Sequence, residues 1–259
     1  MLFARQDAWR PERAGLPRLR ALLGRDWERY LELTHPQVRG RFAASRVLLK
    51  FAAAAALRVP PESVEIGYGL TGRPFLRGYD GVRVSLSHTD GLLLVGLAAD
   101  GAIGVDAEPA ERVLYGPGLG RHLCTPYELE RVEALPLAER NPAVLRLWTL
   151  KEAYSKALGL GLRFRFTDFG FAPDQAAPRT VLRPDGTPAP VGRWAFRTWS
   201  LGSRYTVAVA AEDAGFGRAR DTAAGTALDP GIVDAVVTAA GEQERERADE
   251  RETAAADGW

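Results

Sequence analysis

Trp148-Thr149-Leu150-Lys151-Glu152-Ala153-Tyr154-Ser155-Lys156 holds two of only three lysines in a chain with 34 basic residues. Lysine is a compact, mobile point charge, whereas arginine is a planar fork fixed in its charge. Two lysines around one glutamate in an arginine-rich chain therefore mark a place that needs an ammonium. The spacing predicts a helix over 145–158, stopped at Gly159, with Leu147, Leu150, Tyr154, Ala157 and Leu158 as its buried stripe. Glu152 and Lys156 then fall four apart on the opposite face, with Lys151 at the edge of the stripe. On helical phase alone, an ordinary surface Glu–Lys pair worth about 0.3–0.5 kcal/mol describes them equally well.

Outward from this helix, the pattern reads as helix followed by hairpin, twice. In the second round Thr125 starts a helix to about Leu135, with Glu128 completing a capping-box pattern. After the Leu145–Leu158 helix come a strand at Arg163–Phe171 and a hairpin of Trp194–Leu201 with Tyr205–Ala211 around Gly202-Ser203. In the first round a long alanine-rich helix, Val38–Leu57, is stopped by Pro60-Pro61. Short strands at Ser63–Ile66 and Val82–Leu86 follow. Leu92–Ala98 then turns at Asp100-Gly101 onto Ile103–Glu108 as its hairpin partner. The fold class is α+β, with two similar halves and a cleft between them. The boundaries are 1–108 and 109–220, then a tail at 221–259 whose charge and lack of apolar residues predict disorder.

Composition is that of a soluble globular protein. No apolar run approaches the ~20 residues of a membrane span. The stretch Met1–Arg20 has scattered charge and no apolar core, so no secretory leader and a cytoplasmic location are expected. A single cysteine, Cys124, excludes an internal disulfide and a cysteine-rich metal site. The net charge of +1 conceals an asymmetry: residues 221–259 carry 10 acids and 3 bases, leaving 31 bases and 23 acids, or +8, on the rest. Such a body attracts acidic partners or phosphorylated ligands. No helix-turn-helix signature, zinc-finger spacing or RNA-binding aromatic strand points to nucleic acid.

Three further segments carry polar chemistry. Gly67-Tyr68-Gly69-Leu70-Thr71-Gly72 matches the dinucleotide fingerprint by letter. It leads into Arg73-Pro74 and a strand, whereas that fingerprint must open a helix; a loop presenting Arg73 to an anion fits better. Asp106 and Glu108, two apart on a strand, project from one face, with Ile103 and Val105 on the other. Two acids on one face suit a hard divalent ion such as Mg²⁺, although solvated charges at a strand end describe them too. Ser85-Leu86-Ser87-His88-Thr89-Asp90 offers hydrogen-bond donors at a strand end. No G-x-S-x-G elbow accompanies it, so a serine-hydrolase triad is not expected. His35 and His122 have no metal-ligand spacing.

Read in order, Gly72-Arg73-Pro74, Ser85-Leu86-Ser87-His88, Gly104-Val105-Asp106-Ala107-Glu108 and Trp148–Lys156 resemble the 4′-phosphopantetheinyl transferases, in particular the two-lobed, surfactin-synthetase-activating (Sfp) type. The likeness covers about Arg39 to Ala211. It implies two pseudo-twofold-related α/β lobes in a monomer, with coenzyme A in the cleft as substrate. The implied reaction is Mg²⁺-dependent transfer (Mn²⁺ serving too) of the phosphopantetheine arm to a serine of an acidic apo acyl or peptidyl carrier protein of fatty-acid, polyketide or nonribosomal peptide synthesis. Adenosine 3′,5′-bisphosphate is released. A catalytically silent relative that binds coenzyme A or a carrier protein is the alternative, and neither nucleic acid nor membrane is an expected partner.

By the same resemblance Asp106, Glu108 and Glu152 hold the metal. Glu152 takes the serine proton, directly or through water, and Lys156 stabilises charge on the leaving phosphate. Ser87, His88 and Lys151 contact the phosphates of coenzyme A, with His88 counted among the catalytic residues beside Glu152 and Lys156. Arg73 replaces the lysine common in the family's G-K-P loop, and Arg39, Arg41 and Arg46 fall where basic residues meet the adenosine and 3′-phosphate. Carrier docking is expected at Ala110–Thr125 and Gly159–Phe171, with Arg121, Arg163 and Arg165 as contacts.

Overall fold

Two helices of 22 residues each organise the chain, and both are fixed by their ends. The computed structural model describes residues 1–212 apart from 7, 100, 117, 119 and 161–163. The expected tail at 221–259, and Arg163, lie outside the described residues. In chain order the elements are β1 (Leu2–Arg5), α1 (Leu16–Leu23), α2 (Trp27–Glu32), α3 (Pro36–Leu57), β2 (Ile66–Tyr68), β3 (Pro74–Leu76), β4 (Val82–Thr89), β5 (Leu92–Ala99) and β6 (Ile103–Pro109). They continue with α4 (Gly120–Leu123), α5 (Pro126–Glu133), α6 (Leu137–Leu158), β7 (Trp194–Leu201) and β8 (Tyr205–Glu212).

Helix α3 begins with Pro36, whose fixed φ suits the first helical turn. It ends on Arg58 in the left-handed conformation, φ 56°, where the Arg58 and Val59 amides both donate to the Ala54 carbonyl. Helix α6 ends the same way on Gly159, φ 74°. It starts earlier than residue spacing predicted and runs through Pro142. Proline there forfeits one helical hydrogen bond. Side chains of the first two turns hold the segment in place: Arg140 donates to the carbonyls of Leu135 and Glu133, and the Asn141 side chain accepts from the Leu114 and Tyr115 amides.

The strands form two three-stranded antiparallel sheets, ordered β1-β5-β4 and β6-β8-β7, and the small hairpin β2-β3. In each three-stranded sheet the strand preceding the long helix pairs with the second strand of the later hairpin. This overturns the expected pairing of Ile103–Glu108 with Leu92–Ala98. Both edges of β5 are taken, by β1 and β4, so β6 crosses over and pairs with β8 in the register Asp106↔Ala208. The strand carrying Asp106 and Glu108 therefore belongs to the second sheet and does not close the first half at Glu108.

Arg163–Phe171 is a second correction. Its described part is a run of turns with one bridge, Gly170↔Leu182. The Phe166 carbonyl accepts from Lys151 and the Phe171 amide donates to Glu128, so side chains replace a strand ladder.

One apolar cluster lies under α6 and the second sheet, and includes Tyr154 packed among Phe164, Phe169, Phe171, Trp194 and Phe196. Another lies between α3 and the first sheet, through Leu48, Leu49, Ala53, Leu93 and Val95. A third joins α1 to α3 through Leu19, Leu23, Ala43 and Val47. No helix among the described residues is long and apolar enough to cross a membrane.

Two close approaches set how these parts meet. A Cβ on Gly104 would overlap the Ala153 carbonyl oxygen, so the absence of a side chain lets α6 lie directly on β6. A Cβ on Gly96 would stand 2.7 Å from Val105 Cγ1, so the other face of β6 packs on β5.

The left-handed cap at Arg58 gives a direct test. A side chain in that conformation costs about 1 kcal/mol, so Arg58→Gly should raise the unfolding free energy by up to that amount in urea titration, with no change in slope.

Candidate active site

Strand alternation sends Gly104, Asp106 and Glu108 toward α6. On α6, Trp148, Glu152 and Lys156 recur every four residues and form one stripe along the same side. From the first sheet, β4 adds Ser87 and His88; α3 adds Arg46 and Leu49; and the β2–β3 hairpin adds Gly72 from its turn and Pro74 from β3. Together with Tyr68 and Arg112 these line one pocket of about 510 Å³.

Asp106 is buried at its centre. Its Oδ1 accepts from Ser87 Oγ at 2.7 Å and from Lys156 Nζ at 2.5 Å, and the same ammonium donates to Ser87 Oγ at 3.0 Å. Its Oδ2 is buried with no hydrogen-bond partner. The Val105 amide donates to Ser85 Oγ at 3.1 Å. Ser85 and Ser87 thus share a face of β4, and both bond to β6. Glu108 Oε1 accepts from Trp148 Nε1 at 2.8 Å and from Arg112 Nη1 at 2.5 Å, while the Arg112 guanidinium lies 5.3 Å from the centre of the Trp148 ring. Burial, then the neighbouring charge of Asp106, push Glu152 up to about 7; Lys156 opposes the shift and Glu108 adds to it. His88 keeps an open face, yet enough protein surrounds its ring that burial lowers its pKa, ahead of the positive charges of Arg41, Lys156 and Arg46.

The donor set is all oxygen, which fits a hard divalent cation, and the orphaned Asp106 Oδ2 is an oxygen ligand with nothing to satisfy it. As the side chains lie, no three acidic, histidine or cysteine side chains among the described residues converge on one point. Lys156 and Arg112 each hold an oxygen of the acids instead.

Of the residues singled out in sequence, the pocket gathers Arg46, Ser87, His88, Asp106, Glu108, Glu152 and Lys156. Four do not line it. Lys151 is a correction: it is wholly buried, and Nζ donates to Glu128 Oε2 at 2.5 Å and to the carbonyls of Phe166 and Leu123 at 2.6 and 3.1 Å. Those three bonds use all three ammonium protons. Glu128 in turn accepts from the Thr125 and Phe171 amides, with the capping box at Thr125 formed as the sequence suggests. Lys151 therefore fastens α5, α6 and the 164–171 segment together and has no proton left for a phosphate. The lysine-for-arginine signal was real at this position, but it marked a structural ammonium.

Arg73 is turned away from the main pocket, although Gly72 and Pro74 on either side line it. Its guanidinium lies beside Gly159 and borders two adjoining hollows shared with Arg83. Arg39 donates to the Leu33 carbonyl at 2.6 Å and covers the Tyr30 ring, which holds the start of α3. Arg41 does not line the pocket, although its charge helps to lower His88. Sequence reasoning missed Arg112, which follows Pro109 and a turn and had no periodic signal. It also assigned no role to Tyr68, although the residue sits inside a motif already noticed.

Known proteins resolve the kinship of this geometry. A profile described as the 4′-phosphopantetheinyl transferase superfamily matches residues 102–210, the stretch from the start of β6 into β8. A Thraustochytrium protein named phosphopantetheinyl transferase is 32% identical over 223 residues, covering 80% of this chain and 76% of that protein. The chain belongs to the 4′-phosphopantetheinyl transferase superfamily. The 4′-phosphopantetheinyl transferase HetI of Nostoc is 32% identical over 130 residues, 49% of this chain and 55% of that protein. A Synechocystis relative is 31% identical over 157 residues, 58% of this chain and 63% of its own length. The chain thus spans less than two thirds of these last two relatives.

Two measurements probe this description of the family member. Removing one partner of a fully buried ion pair costs about 3–5 kcal/mol, so Lys151→Ala should lower the unfolding free energy by that much in urea titration. His88 should titrate below the ordinary histidine value in the free protein. Inorganic pyrophosphate bound in the pocket should raise it, because a nearby anion favours the imidazolium; ¹⁵N NMR of the ring reads both values.

Proposed function

We propose that the chain is a two-lobed phosphopantetheinyl transferase of the surfactin-synthetase-activating type, with the division between Ala99 and Ile103. It moves the 4′-phosphopantetheine arm of coenzyme A onto a serine hydroxyl of an apo acyl or peptidyl carrier protein and releases adenosine 3′,5′-bisphosphate. The observation that carries this reading is the meeting of Asp106, Glu108 and Glu152 with Ser87, His88, Arg46 and Lys156 in one pocket. Acids suited to a metal and cations suited to phosphate then stand side by side.

In this reading Asp106, Glu108 and Glu152 would hold Mg²⁺ or Mn²⁺. Such an ion neutralises pyrophosphate charge and polarises the phosphoryl oxygens. Arg46, Ser87 and His88 bind the phosphates of coenzyme A, with Arg41 at the margin. The serine Oγ forms a bond to the phosphorus that carries the pantetheine arm, and the bond from that phosphorus to the bridging oxygen of the nucleotide breaks. Glu152 takes the serine proton as general base, directly or through one water. Lys156, with two donors already committed to Ser87 and Asp106, offers its ammonium to the departing phosphate oxygen.

The carrier protein is acidic, in keeping with the +8 charge of residues 1–220. It docks along Ala110–Thr125 and the segment after α6, where Arg121 and Arg165 are both exposed. The enzyme works as a cytoplasmic monomer, because two lobes in one chain supply both walls of the cleft.

The test is intact-mass spectrometry of an apo carrier protein incubated with the enzyme, coenzyme A and Mg²⁺. The expected result is a gain of one phosphopantetheine arm, abolished by chelator and slowed at least ~100-fold by Glu152→Gln. No gain with fatty-acid, polyketide and peptide carriers, alongside measurable coenzyme A binding, would establish a silent binding relative instead.

A further inference from the structure

The Gly67-Tyr68-Gly69-Leu70-Thr71-Gly72 motif leads into a strand and opens no helix, and its glycines have another use. A Cβ on Gly67 would strike the Phe75 ring across the β2–β3 pair, and Gly72 takes φ +79° in the turn, where the Gly69 amide donates to the Arg73 carbonyl and the Gly72 amide to the Gly69 carbonyl. The result is a tight hairpin that presents Tyr68 at the pocket wall.

The Tyr68 hydroxyl does two things there. It donates to Asp26 Oδ2 at 2.9 Å and accepts from Arg46 Nε at 3.0 Å. A phenol has one proton, and Asp26 receives it, so the lone pairs are left facing Arg46. Burial, chiefly, raises the Tyr68 hydroxyl to about 12, which keeps that proton in place. Asp26 is buried at 7% exposure, and the near-buried ammonium of Lys50 feels its charge. Arg46 also donates from Nη1 to Ser45 Oγ at 3.1 Å, and its Cζ lies 4.4 Å from the centre of the Phe42 ring. These contacts use two of its five N–H groups and fix its plane, with the guanidinium on the pocket lining beside His88.

We propose that Asp26 and Tyr68 are positioning residues that aim the Arg46 guanidinium at a phosphate of the nucleotide-type ligand in this pocket. The assignment rests on the reading of the pocket as a coenzyme A site. Neither residue touches the reacting atoms. Their effect passes through one hydrogen bond to Arg46, so it falls on ligand affinity and leaves the chemical step alone.

Tyr68→Phe keeps the ring and removes the hydroxyl. It should raise the calorimetric Kd and the KM for coenzyme A about tenfold, as loss of a hydrogen bond to a charged group predicts, while kcat stays within twofold and the melting temperature holds. Asp26→Asn should move the same constants in the same direction. In an Arg46→Ala background, Tyr68→Phe should have no further effect on Kd, because the pair acts as a unit. Independently of any ligand, the Arg46 Nε–H resonance should be protected from solvent exchange in the wild type and lose that protection in Tyr68→Phe. Equal Kd for wild type and Tyr68→Phe, or an undiminished penalty in the Arg46→Ala background, would overturn the proposal. A wild type that binds no coenzyme A while showing a protected Arg46 Nε–H would overturn the reading of the pocket and the ligand role, leaving the hydrogen-bonded chain as architecture.

Discussion

The contact of α6 with β6 at Gly104 is the constraint on which the site depends. A helix and a strand normally meet through their side chains, at a distance that would keep Lys156 away from Asp106. With no Cβ in between, the backbone of α6 settles against the strand, and the helical four-residue repeat brings Lys156 onto Asp106 while Trp148 reaches Glu108. The second glycine, Gly96, does the same on the far face, seating Val105 against β5. Strand β6 is thereby held between two layers, paired in one sheet and bonded through serines to the other.

Much of this was legible in the sequence. The helices around Ala52 and Leu150, the hairpin at Gly202-Ser203 and the capping box at Thr125 all follow from periodicity and local turn chemistry. So does the common face of Asp106 and Glu108, because alternation along a strand is independent of which strand it pairs with. Pairing itself was not legible. A tight turn after Leu92–Ala98 points to a hairpin, and only the presence of β1, a four-residue strand distant in sequence, removes the free edge that a hairpin would need.

The chain's sparing use of lysine carried information, though it pointed to three different environments. Lys156 lies in the pocket, Lys151 saturates three acceptors in the core, and Lys50 is almost entirely buried beside Asp26. What unites them is a carboxylate beside each ammonium: Asp106 for Lys156, Glu128 for Lys151 and Asp26 for Lys50, the last two lysines being buried. Sequence position cannot separate these cases, because a helix face reads as solvent or core only when its neighbours are known. The aromatic segment at 164–171 failed for a related reason. Its alternation resembles a strand, but beyond the one bridge at Gly170 its backbone is held by the side chains of Lys151 and Glu128.

The pairing of Lys156 with Asp106 and of Arg112 with Glu108 sets two acids of the pocket each against a cation of the same pocket. An arriving polyanion that drew those cations toward itself would leave two carboxylates facing each other. An arriving cation that claimed the carboxylates would strand an ammonium and a guanidinium. When both signs of charge enter together, each of these two pairs can exchange one counter-ion for another. The cost of parting either pair is then set by the exchange of counter-ions and not by any single new contact.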